Sequence, residues 1–174
     1  MTKTFVCIAC WLAMSIAAAS ADPYQSVRDD LASGRFDSAK LAIDRLLNDN
    51  PFDRDARLLE AAWLHSTGAT AAAMTRLELL ANAFPAEPEA YNNLAVLAIA
   101  SGDSDAAEAW LAKALATSPA YQTVVDNMRA LQRARAQEAY AALAGRTIEA
   151  SVTMRALEHF AELAACTNST RDEP

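Results

Sequence analysis

Apolar positions along this chain fall into two regimes. The first is a run from Phe5 to about Ala18, behind a short head carrying Lys3 and ahead of Ala19-Ser20-Ala21. A charged head, an apolar middle and an A-x-A exit are the parts of a secretory signal. The run is shorter than the ~20 residues a membrane-spanning helix needs. Residues 1–21 are therefore expected to be an export signal cleaved after Ala21. From residue 22 onward the pattern is amphipathic. Ile43 and Leu46, Leu77 and Leu80, and Leu111 and Ala114 pair three residues apart, which puts each pair on one helical face.

These pairs repeat. Gly34, Gly68 and Gly102 are spaced by 34 residues, as are Ala39, Ala73 and Ala107, and Pro51, Pro85 and Pro119. The unit reads as helix, glycine turn, helix, proline. Glycine permits the backbone of a tight turn, proline cannot continue the preceding helix, and the small alanine lets the paired helices approach closely. The fourth unit opens at Tyr121 but has Ala136 where the period requires glycine. One long helix, or two nearly continuous ones, is expected there, stopped by Gly145. Asp22 and Pro23 form a cap and first-turn pair for a short first helix, expected to fray. Thr147 opens a last helical segment to about Ala165, and residues 167–174 read as a disordered tail.

Residues 87–119 carry Tyr91, Leu94, Ala95, Gly102, Ala107, Leu111, Ala114 and Pro119 at signature positions, so the chain resembles the tetratricopeptide repeat family over about residues 22–146. Ser26 and Val27 in the first unit and Glu60 in the second depart from the pattern. The resemblance implies an all-α, right-handed α-solenoid of about three 34-residue helix-turn-helix repeats. A partial fourth repeat over the rest of 22–146 and a capping helix at 147–166 would complete it.

Composition narrows the function. Removing the signal leaves 14 basic against 22 acidic residues, a net −8, which disfavours nonspecific binding to a phosphate backbone. Signal cleavage removes Cys7 and Cys10 and leaves Cys166, so no internal disulfide can form. The two histidines, His65 and His159, supply neither a nucleophile's base nor a zinc cage. The four glycines are accounted for by three turns and a helix end, and no phosphate-binding glycine motif occurs. Asp29-Asp30, Asp53/Asp55 and Asp103/Asp105 fall at helix starts or exposed faces, where carboxylates cap or solvate. No catalytic set, metal site or cofactor is expected.

The family resemblance implies a groove lined by the first helix of each unit. Its positions fall on Tyr24, Gln25, Arg28 and Leu31, then Leu58, Leu59, Ala62 and His65. They continue through Glu89, Asn92, Asn93, Val96 and Ile99 to Asp126, Asn127, Ala130 and Arg133. Asn93 and Asn127 recur one period apart. An amide donates and accepts together, which suits binding of an extended backbone; the same asparagines could instead cap or solvate their helices. Leu58 and Leu59 are expected to offer an apolar patch, unless the first helix covers it. Lys40 and Lys113 fall on second helices, which disfavours a clamp for a free C-terminal carboxylate. The expected function is an exported, periplasmic adaptor that binds a protein or peptide in this groove. The partner-binding set is Leu58, Leu59, His65, Asn92, Asn93, Asp126, Asn127 and Arg133. The alternative is a structural subunit of an envelope assembly that uses its outer face or last helix.

Overall fold

A computed structural model describes residues 22–145 and Met154. The expected signal at 1–21, the capping helix at 147–166 and the tail at 167–174 lie outside those residues, apart from Met154. The described residues form seven helices: α1 Pro23–Ala32, α2 Phe36–Asp49, α3 Arg54–Ser66, α4 Thr70–Ala83, α5 Pro88–Ala100, α6 Ser104–Thr117 and α7 Gln122–Leu143. They pack antiparallel and in sequence, consistent with a helical repeat arrangement. The main contacts join consecutive helices, α1 also packs on α3, and α5 and α7 meet through a side-chain hydrogen bond.

The period of the sequence is the period of the backbone. Helices α2, α4 and α6 start at residues 36, 70 and 104, and α3, α5 and α7 start at 54, 88 and 122. The same donor and acceptor close α1, α3 and α5: Arg35 N–H to Asp30 C=O, Ala69 N–H to Leu64 C=O, and Asp103 N–H to Ala98 C=O, at 2.8–2.9 Å. This six-to-one bond satisfies a carbonyl the helix end would otherwise orphan, and it needs a left-handed residue just before the donor. Gly34, Gly68 and Gly102 supply it, with φ of 71°, 86° and 81°.

Packing repeats as well. Ala39, Ala73 and Ala107 are fully buried between paired helices, and Ile43, Leu77 and Leu111 are buried one turn further on. Two hydrophobic clusters result. One is built mainly from α1–α5 around Leu59, Leu77 and Leu94. The other lies across α5–α7 around Leu111, Val124 and Leu131 and includes Met154.

Departures from the repeat pattern are locally compensated. Val27 is buried in the first cluster. Glu60 lies 3.6 Å from Arg76 of the following helix, so the charge at this formally apolar position is paired. Asp22 accepts the Tyr24 N–H at 3.0 Å, and the Tyr24 hydroxyl donates to Asp53 at 2.6 Å. That bond to the carboxylate, with burial and the neighbouring acidic charges, pushes the Tyr24 pKa up to about 12. The first helix is thus tied to the start of α3. At the other end α7 is one continuous helix, and Gly145, at φ 64°, follows it.

Candidate partner-binding surface

The sequence-derived surface lies along α1, α3, α5 and α7. Leu58 and Leu59 follow the second of the two readings open to them: they are 1% and 0% exposed and belong to the first hydrophobic cluster. They share that cluster with Val27 and Leu31 of α1, and α1 packs on α3. The apolar patch expected there is part of the core. Beside Leu58 a narrow crevice runs between Arg54, Leu80, Phe84 and Glu89.

Arg54 organises the acidic side of this region, a role the sequence analysis missed. Its guanidinium lies 2.9 Å from Asp55, 3.1 Å from Glu87 and 3.7 Å from the buried Glu89. The signal was available in the spacing: Arg54 opens α3 and Glu87 precedes α5 one unit later.

Asn92 and Asn93 are 0% exposed and Asn127 is 2% exposed. The structure brings two of them together across units, because the Asn127 side-chain amide donates to the Asn92 side-chain oxygen at 2.8 Å. A buried amide costs free energy unless its polar atoms are paired, so this bond ties α5 to α7 at one register. Asn127→Ala removes the donor and leaves a buried acceptor behind. It is expected to cost about 1–3 kcal/mol of stability, checked by urea unfolding; Asn92→Ala combined with it should cost less than the sum of the two single changes.

The remaining candidates are spread along the surface. Asp126 accepts from Gln122 at 2.7 Å and lies 3.5 Å from Arg129, and Arg133 is exposed one turn beyond. Arg135 instead pairs outward with Asp105 and Glu108 of α6. Of the carboxylates read as caps or solvated groups, Asp53 accepts the Ala56 N–H at 2.8 Å and Asp103 the Ala106 N–H at 2.9 Å, whereas Asp30, near the end of α1, is part-buried and accepts from Arg35 at 2.7 Å and from the Ser38 hydroxyl. The two lysines outside the signal sit on second helices, Lys40 over the Trp63 ring and Lys113 over the Trp110 ring.

His65 is half-buried, with Nδ1 3.2 Å from the Thr70 hydroxyl. Burial lowers its pKa below the ordinary 6.5. The unfolded chain therefore takes up this proton first as pH falls. The stabilising contribution is complete above that ordinary value and is lost as pH drops through the folded one. Thermal melts between about pH 7.5 and about pH 5 should show a falling midpoint for wild type and a shallower fall for His65→Gln.

Among the described residues, no group of three or more His, Cys, Asp or Glu could hold a metal ion. No described helix is long and apolar enough to cross a membrane. No protein-family model matches this chain, and no curated protein does either.

Proposed function

We propose that this chain is a tetratricopeptide-type adaptor, exported to the periplasm, that holds an extended protein or peptide segment along the first helices of its units. The observation that carries this reading is the strict 34-residue recurrence of helix starts, turn bonds and buried alanines. A stack of equivalent helix pairs presents equivalent side chains at regular intervals, which suits a partner with a repeating backbone. Along the inner series, Glu89, Asn92, Asn93, Asp126 and Asn127 are polar, with Arg133 and His65 at the margins. The asparagines are shielded from solvent, so a partner reaching Asn93 displaces the groups that cover it.

The decisive experiment is capture of a partner by the mature protein from envelope extract, followed by titration of that partner against variants. Asn93→Ala should weaken binding about two- to tenfold, the worth of one amide hydrogen bond, with helicity unchanged. Equal affinity for wild type and variant would remove the inner surface from consideration. A second reading, an assembly subunit that docks through its outer face, is favoured by Leu41 on α2 and Leu79 on α4, both 54% exposed. Under that reading Leu41→Ser with Leu79→Ser abolishes capture and Asn93→Ala does not.

A further inference from the structure

Polar ties run from unit to unit between the first helices, and they differ in kind. At the first joint the Tyr24 hydroxyl donates to Asp53, and α1 also packs on α3. At the third joint the Asn127 amide donates to Asn92 in the interior. Between them, where the second unit meets the third, the tie is ionic. Arg54 at the start of α3 lies 3.1 Å from Glu87, the residue that precedes α5. Both side chains remain open to solvent, 29% and 45% exposed.

Glu87 holds the position from which Asp22, Asp53 and Asp103 cap their own helices. It makes no such bond to α5, and its carboxylate reaches back to the preceding unit instead. The packing at this joint is also incomplete. Leu58 of α3, Leu80 of α4, Phe84 of the linker and Ala90 of α5 line a crevice too narrow for a water molecule, together with Arg54 and Glu87. A gap of that size forfeits dispersion contacts and gains no hydration in return. Beside the linker, the Tyr91 hydroxyl lies 3.4 Å from the carbonyls of Ala81 and Pro85, so α5 stays tethered to the end of α4.

We infer that the joint between α4 and α5 is a hinge and that the Arg54–Glu87 ion pair is the strap that holds it shut. Hinges are a few residues at element ends that absorb a backbone rotation, and the four-residue linker from Phe84 to Glu87 is such a place. An exposed ion pair is weakened by dissolved salt, whereas a buried bond between neutral amides is not. Salt therefore loosens the second joint and leaves the third intact. With the strap released, α5 turns away from α3 and carries α6 and α7 with it, because those three helices share the second hydrophobic cluster. The span between the first helices of the second and third units then follows ionic strength. This inference does not depend on the groove reading, since it concerns the chain on its own.

The test measures the distance between spin labels on the mature chain. The labels go on Asn48→Cys of α2 and Ala112→Cys of α6, both exposed positions, with Cys166→Ser removing the native thiol. This parent should give a narrow distance distribution at low salt. The distribution should widen about twofold at about 1 M salt, where the Debye length falls to about 3 Å. Arg54→Gln and Glu87→Gln should be equally wide at both salts. Glu87→Gln leaves Arg54 beside Asp55 and Glu89, so it decides the matter if Arg54→Gln does not fold. Arg76→Gln, which breaks a pair inside one unit, should match the parent. Circular dichroism checks that helicity is equal throughout. A parent that salt does not widen overturns the inference, as does parent-like width in Glu87→Gln at low salt. So does equal widening in Arg76→Gln, or a Glu87→Gln distribution that salt widens as much again.

Discussion

Leu111→Ala is expected to lower the free energy of unfolding by about 2–5 kcal/mol, the cost of an uncollapsed cavity at a fully buried leucine. The side chain is 0% exposed and belongs to the cluster shared by α5, α6 and α7. Ile43 and Leu77, its equivalents in the earlier units, are equally buried, so the position is a standard core site of the repeat. Contacts run mainly between consecutive helices, and the damage should therefore be spatially graded. Hydrogen exchange should accelerate first in α5–α7 while α1–α3 keep most of their protection. Uniform acceleration over all seven helices would mean that the chain unfolds as one unit and would refute the nearest-neighbour description.

Gly102→Val is expected to cost about 1–3 kcal/mol, read as a lowered melting temperature. A Cβ at this position meets nothing within 4 Å, so the penalty is not a clash with neighbouring groups. It lies in the backbone: φ is 81°, a region that β-branched residues all but exclude. Relaxing φ would break the bonds the turn makes, Gly102 N–H to Ile99 C=O and Asp103 N–H to Ala98 C=O, both 2.9 Å. It would also shift Asp103 away from the Ala106 N–H that it caps. Gly102→Ala shares the strain without the β-branch and should lie between wild type and Val. An unchanged melting temperature in the Val variant would show that the turn does not need its left-handed residue.

The helix boundaries were legible because their determinants are local. Glycine and proline act on their own φ and on one or two adjacent hydrogen bonds, so their spacing transfers directly to the backbone. The loss of the turn at Ala136 was legible for the same reason, although the sequence left one long helix and two nearly continuous ones both open. Burial of the inner face was not. Whether Leu58, Leu59 or Asn93 meets solvent depends on helices distant in sequence, and a face position in one unit says nothing of what lies over it. The Asn92–Asn127 bond was hidden for a related reason. The recurrence in the sequence pairs Asn93 with Asn127, whereas the bond joins Asn127 to Asn92, one residue off the repeat. Glu60 looked like a defect in the pattern until Arg76, on the next helix, was seen to answer it.

The turn bonds at Arg35, Ala69 and Asp103 have an evolutionary consequence. Because each junction is self-contained and falls at the same phase of the unit, a crossover between equivalent codons inserts or removes a whole layer without creating a new kind of joint. Joining residue 69 to residue 104, for example, deletes one copy of the cycle, puts Ala69 where the capping Asp103 stood and packs α3 on α6 in place of α4. Lengthening and shortening by recombination are therefore open to this gene at single-event cost, whereas a change of another length inside a helix breaks the register of the layer that holds it.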